Sequence, residues 1–170
     1  TRRKAHDVLI EALAPLESLP WQARFVGGME FDPAWAKSLQ ERANKLGLSQ
    51  RIEFAGTVED AQAEYQQADV FVLPSRFEGY GMVFAEALAA GLPLIAARSG
   101  AVPDVVPEAA GLLVAPDDVD GLNAALQQIL TSATLRQTLQ AGARKVAVTL
   151  PSWTDTASLV ARKLEEVKNS

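Results

Sequence analysis

Five short strand-like segments, most of them apolar and all set between stretches of helical spacing, constrain this chain more than any other feature. Ala23 to Val26 stops at Gly27-Gly28, Arg51 to Ala55 at Gly56, and Val70 to Leu73 at Pro74; Leu94 to Ala97 and Leu112 to Val114 follow. Runs that are apolar at consecutive positions suit strands covered on both faces. Short strands alternating with helices predict a parallel sheet linked by right-handed crossovers. The intervening helices carry their own signals. Val8, Leu9, Ala12, Leu13 and Leu16 form a 3.6-residue stripe that Pro20 ends, and Asp32-Pro33 opens a helix that stops near Gly47. Glu59 to Gln67 and Met82 to Ala90 supply two more, the latter closed by Gly91. After Pro116 the pattern turns wholly helical: Val119, Leu122, Leu126 and Ile129 define one helix, and Leu135, Leu139 and Val146 a second. Trp153, Ala157, Val160, Leu164 and Val167 define a third, opened by the capping pattern Ser152-x-x-Asp155. The reading is one α/β domain over residues 1–170: a Rossmann-like parallel sheet flanked by helices, with a helical tail.

Composition removes several function classes. The 170 residues are 48% hydrophobic and 22% charged, enough for a self-sufficient core. There is no cysteine, so disulfides, thiolate metal sites and thiol nucleophiles are excluded together, and a reducing compartment is permitted. A net charge of −5 argues against nucleic acid as a partner. No stretch reaches the ~20 apolar residues that span a bilayer, and the nearest, Met82 to Ala97, contains Glu86, Gly91 and Pro93. The basic start TRRKAHDVLIEAL is interrupted by His6, Asp7 and Glu11, so it reads as mature structure and not as a signal peptide.

The single histidine, His6, cannot build a triad or a multi-histidine metal site and is read as a surface residue. Asp118-Val119-Asp120 matches a D-x-D metal pattern, but it opens a helix, where acids cap N–H groups and oppose the dipole; no metal site is assigned. Gly27-Gly28 and Gly79-Tyr80-Gly81 fall short of the dinucleotide fingerprint G-x-G-x-x-G, and no glycine loop is followed by a Walker lysine. Trp21, Trp35 and Trp153 are read as packing residues.

In open parallel sheets ligands bind beyond the carboxyl ends of the strands. The loop after Val70 to Leu73 reads PSRFEGYGM: a strand-ending proline, two glycines that free the backbone, an acid, and then a helix starting near Met82. The amides of Gly81, Met82 and Val83 at that helix start could hold a phosphate or a sugar hydroxyl. Glu86 is the only charged residue from Gly79 to Ala97. Facing the interior it would cost several kcal/mol, on the order of an unpaired buried charge. It either leans back toward the loop that carries Glu78, the two acids flanking one pocket, or lies on the one exposed strip of its helix.

Glu78-GYGMVFA-Glu86 is an E-x7-E spacing, and it resembles the donor-binding signature of retaining glycosyltransferases of family 4, which share the two-lobed GT-B fold. Lys4-Ala5-His6-Asp7 resembles that family's Lys-Gly-x-Asp helix start, and Phe25-Val26-Gly27 its strand-then-glycine turn. Ile52 to Gly56, Ala68-Asp69-Val70 to Pro74-Ser75, Gly91-x-Pro93 to Gly100-x-x-Pro103, Gly111 to Val114 and Ser152-Trp153 continue the likeness in order along essentially the whole chain. The resemblance implies the carboxy-terminal, nucleotide-sugar-binding lobe of such an enzyme, with the amino-terminal acceptor lobe absent.

That resemblance implies roles at matching positions. Glu78 would contact the transferred sugar and Lys4 would neutralise the diphosphate, as the two catalytic positions. The amides of Tyr80, Gly81, Met82 and Val83 would hold sugar and phosphate oxygens, Glu86 would accept both ribose hydroxyls, and the base would lie near Thr57 and Val58. Transfer from a UDP- or GDP-sugar to a saccharide or lipid-linked glycan would retain configuration and need no metal or other cofactor. This fragment alone would be inactive, its partners being the donor and the missing lobe. The family's setting is cytoplasmic, including the inner membrane face, with any membrane association made through the absent lobe. The sequence departs from the pattern where the arginine paired with the lysine, and the first strand of the lobe, would fall before Thr1. Ala101 replaces a second glycine and Asp104 a glutamate. A non-catalytic nucleotide-sugar-binding or interaction domain of the same fold is the alternative. Another GT-B enzyme such as a sugar epimerase is disfavoured by Ser152-Trp153 and E-x7-E together.

Overall fold

A computed structural model describes residues 1–79 and 81–150 together with Ala161, Arg162 and Glu165. Tyr80, Ser152-Trp153 and the third predicted tail helix lie outside the described residues. The strands are β1 (Ala23–Val26), β2 (Ile52–Gly56), β3 (Phe71–Leu73), β4 (Leu94–Ala97) and β5 (Gly111–Val114). The helices are α1 (His6–Leu13), α2 (Pro33–Lys45), α3 (Ala61–Gln67), α4 (Met82–Ala89), α5 (Val102–Val105), α6 (Val119–Thr131) and α7 (Ala133–Ala147). The alternation of strand and helix is the one the apolar runs predict, with boundaries moved by a residue or two. Helix α3 begins at Ala61, not Glu59, because the Asp60 side chain caps it by accepting from the Ala63 amide at 3.0 Å. The single turn α5 has no sequence counterpart above: four residues are too few to show a period.

Every strand pairing is parallel, in two ladders: β1 with β2, and β3-β4-β5 in that order. One helix layer covers both. Its core joins Val8, Leu9, Ile10, Ala12 and Leu13 of α1, Leu39 and Ala43 of α2, and Leu122, Leu126 and Ile129 of α6 to Ile95 of β4, with Phe25, Phe54, Val72 and Leu112 packed alongside. The opposite face of β3-β4-β5 packs on α4, α5 and α7 through Leu73, Phe84, Leu88, Leu94, Ala96, Val102 and Ala143. Strand β4 shows why its run is unbroken: Leu94 and Ala96 enter one core and Ile95 the other, and all four residues are buried.

Capping residues behave as read. Asp32 accepts from the Trp35 amide at 3.0 Å, and Asp118 from the Gly121 amide at 2.8 Å at the start of α6. Trp21 is buried, with its indole N–H donating to the Leu16 carbonyl at 2.8 Å, and Trp35 is partly buried under the Arg2 guanidinium. His6 is a correction. It is not a surface residue: its ring is partly buried 5.1 Å from that of Phe25 in β1. Burial, with neighbouring positive charge from Lys4 among others, outweighs Asp7 and pushes its pKa down to about 4. The ring is therefore neutral at pH 7.

Candidate functional site

Because all strands are parallel, the loops that follow them emerge along one edge of the layer. The loop between β3 and α4 holds two of the buried polar residues, Ser75 and Glu78. Burying a carboxylate is costly unless it is paired, and Glu78 is paired on both oxygens. Lys4 Nζ donates to Oε2 at 2.8 Å and Arg3 Nη1 to Oε1 at 2.8 Å, while the Ser75 hydroxyl donates to Oε2 at 3.2 Å. Burial alone would raise the Glu78 pKa; the hydrogen bonds and charges of Lys4 and Arg3 outweigh it and hold the carboxyl below its ordinary value. Glu78 is therefore ionised at neutral pH, facing two cations.

Backbone geometry makes this meeting happen. Residues Arg2–Lys4 form one 3-10 turn, and Ala5, with φ 52°, reverses the chain into α1 so that Arg3 and Lys4 both reach the loop. Arg76 ties the same pieces from the other side. Its guanidinium donates to both Asp7 carboxylate oxygens at 3.0 and 2.8 Å, to the Arg2 carbonyl at 2.6 Å and to Asp117 at 2.7 Å; its amide donates to the Arg3 carbonyl at 2.8 Å. A third loop, after β4, closes the arrangement. The Ser99 hydroxyl donates to the Ser75 carbonyl at 2.8 Å, and the Ala101 amide to the Glu78 carbonyl at 3.3 Å.

Directly beyond Glu78, Gly81 caps α4 with φ +70°; a Cβ there would lie 2.7 Å from Phe84 Cδ2 and 3.0 Å from Glu78 Cγ. Only glycine admits both neighbours. Met82 is exposed and Val83 partly buried on the first turn, so the helix start opens outward. Glu86, one turn further, is on the exposed side of α4 and accepts from the Tyr65 hydroxyl of α3 at 2.9 Å. Its exposure is compatible with both placements left open by the sequence. Thr57, exposed, and Val58, partly buried, follow β2, and the Thr57 hydroxyl is 3.5 Å from Glu30.

The structure thus joins Lys4 and Glu78 directly and sets Gly81 against Glu78, with Met82 and Val83 following on the first turn of α4. Glu86 belongs to a neighbouring pair with Tyr65, and Thr57 and Val58 to a separate loop on the same edge. Arg3, Ser99 and Tyr65 received no site role from the sequence, and Asp7, Ser75 and Arg76 were read only as parts of a motif or loop. Only one signal pointed to any of them: a loop acid such as Glu78 needs cationic partners if buried, and the chain opens with three basic residues in a row.

The family model described as glycosyl transferases group 1 matches residues 1–146. The chain belongs to that family. A lipopolysaccharide core biosynthesis mannosyltransferase of Rhizobium meliloti is 34% identical over 126 residues, covering 71% of this chain and 36% of the relative. A sucrose-phosphate synthase structure from Thermosynechococcus elongatus superposes with a TM-score of 0.90 at 31% identity, covering 99% of this chain and 43% of the other. The carboxy-terminal domain of a group 1 glycosyl transferase from Francisella tularensis superposes with a TM-score of 0.79 at 26% identity, covering 88% of this chain and 80% of that domain. The chain therefore spans well under half the length of the full-length relatives it matches. As a group 1 glycosyl transferase domain it has the α/β architecture of the GT-B fold, parallel strands between helices.

Proposed function

We propose that this chain is the donor-binding, carboxy-terminal half of a retaining glycosyltransferase that uses a nucleotide-diphosphate sugar. The observation that carries the reading is the buried Glu78 carboxylate held by Lys4 and Arg3 beside the glycine-capped start of α4. Departure of a nucleoside diphosphate builds negative charge, and a lysine with helix amides offsets such charge where it develops. Lys4 takes the diphosphate and Glu78 meets the sugar hydroxyls. The amides of Tyr80, Gly81, Met82 and Val83 serve sugar and phosphate oxygens. Glu86 accepts the ribose hydroxyls, a role suited to an acceptor-only carboxylate, and Thr57 and Val58 lie by the base.

Lys4 is engaged with Glu78, so the donor's phosphates must share or displace that contact. Two cations against one carboxylate leave a net positive charge to receive them. The acceptor site and the facing wall of the cleft belong to a second lobe, supported by the relatives' greater length. Among the described residues β1 and β3 each have one edge with no strand beside it, which suits a strand from the second lobe's side of the polypeptide. Alone, the 170-residue chain binds donor weakly and turns over nothing.

The test offers UDP-, GDP- and ADP-sugars to the full-length polypeptide, with and without a chelator, and follows the anomeric configuration of the product by NMR. Retention, unaffected by chelation and lost in Glu78→Gln, is expected. An inverted product, or transfer by the isolated chain, refutes the reading.

A further inference from the structure

Glu86 and Tyr65 form a unit with more order than an exposed glutamate ordinarily has. The Tyr65 hydroxyl donates to Glu86 Oε2 at 2.9 Å. Tyr65 is partly buried, and its ring centroid lies 5.8 Å from that of Phe71 in β3, tilted by 58°. Phe71 in turn meets Phe84 at 5.8 Å, edge-on at 86°. Phe84 is fully buried and stands on α4 two residues before Glu86. The phenol and the carboxylate it grips therefore hang from the same three-ring stack, which spans α3, β3 and α4. Aromatic pairs of this geometry prefer fixed offsets, so the hydroxyl is a rigid donor.

We infer that Tyr65 is a positioning residue for the nucleotide ribose: it orders the Glu86 carboxylate so that the remaining acceptor sites face the ribose hydroxyls. This rests on the donor-site reading above. A carboxylate offers about four lone-pair sites, and the phenol occupies one of them on Oε2. Among the described residues nothing else bonds this carboxylate, so the whole of Oε1 and the rest of Oε2 are free for a vicinal diol. An unrestrained glutamate would lose rotamer entropy on binding; restraint by a rigid neighbour moves that cost out of the binding step. The competing account is that Glu86 merely satisfies a half-buried phenol. It predicts an effect on stability and none on recognition of the ribose.

Tyr65→Phe separates the two, because it keeps the ring stack and removes only the hydroxyl. With the chain in its full-length polypeptide, calorimetry identifies which of UDP, GDP and ADP binds tightest and compares it with its 2′-deoxy counterpart. Tyr65→Phe is expected to weaken the ribonucleotide about 3- to 10-fold, and the 2′-deoxy compound much less, so that the ribo-to-deoxy preference falls while the urea midpoint stays near wild type. Equal weakening of both compounds, or an unchanged preference, overturns the positioning role and leaves the donor-site reading standing. Failure of the wild type to bind any of the three overturns both. A ligand-free measurement checks the hydrogen bond itself. Burial and the bond to Glu86 together hold the Tyr65 phenol above its ordinary pKa, so Glu86→Gln should bring one tyrosine, identified as the one lost in Tyr65→Phe, into titration at lower pH by absorbance. No change in that titration removes the contact on which the inference stands.

Discussion

Gly100 shows how one residue far from a carboxylate in sequence decides where that carboxylate sits. Its φ of +54° is in the left-handed region, and a Cβ at this position would overlap the Glu78 carbonyl oxygen. The two loops can approach only because that atom is missing. Gly100→Ala is therefore expected to destabilise by about 2–4 kcal/mol, combining left-handed strain with a forced backbone shift. Gly79→Ala is the control within the same loop: nothing lies within 4 Å of its Cβ position and its φ is not in the left-handed region. Urea denaturation should place the control within about 1 kcal/mol of wild type. Equal midpoints for the two variants would mean that the loop yields freely, and that Gly100 does not set the position of Glu78.

Elements were the most readable level. Runs such as Leu94 to Ala97 announce themselves because a strand buried on both faces has no polar position to confuse its period. Caps were readable for a related reason: Asp32, followed by proline, and Asp118, ahead of Val119, act on amides three residues away. What sequence could not supply was contact between distant segments. Arg3 meets Glu78 across 75 positions and Arg76 meets Asp7 across 69, and no local pattern encodes either. His6 failed for the same reason, since its partner Phe25 lies on another element. The cap at Asp118 offers a check at this level. Helix α6 packs on α1 and bears the buried Leu122, Leu126 and Ile129, so loss of its first-turn hydrogen bond reaches the core. Asp118→Ala should lower stability by about 1 kcal/mol, with Asp118→Asn close to wild type. A metal-binding aspartate would instead show a calcium- or manganese-dependent midpoint, and Asp118 is expected to show none.

Across the molecule, ion pairs fasten the amino-terminal turn and the start of α1 to the loop that follows β3, and this gives folding stability a defined pH dependence. The Asp7 carboxyl is held below its ordinary pKa: burial would raise it, but Arg76, by hydrogen bond and charge, and local backbone bonds outweigh that. Glu78 is lowered in the same sense by Lys4 and Arg3. For both, the unfolded chain takes up protons first as pH falls. Their stabilisation is complete above the ordinary carboxylate range and disappears as pH drops through the folded values, which lie beneath that range. His6 acts higher on the scale. Its folded pKa of about 4 lies under the ordinary 6.5, so between those values the unfolded chain binds a proton that the folded chain does not, and stability rises with pH across that interval. The two contributions have the same sign and occupy adjacent windows. Urea midpoints measured from pH 3 to 8 should therefore climb in two stages. His6→Gln should flatten the stage between pH 4 and 6.5 and leave the lower one. Asp7→Asn should lower the plateau, because Arg76 loses one of its two carboxylate partners, and weaken the more acidic stage, to which Glu78 still contributes. A wild-type profile that is level from pH 4 to 6.5 would show that His6 titrates freely and that its contact with Phe25 does not persist in solution.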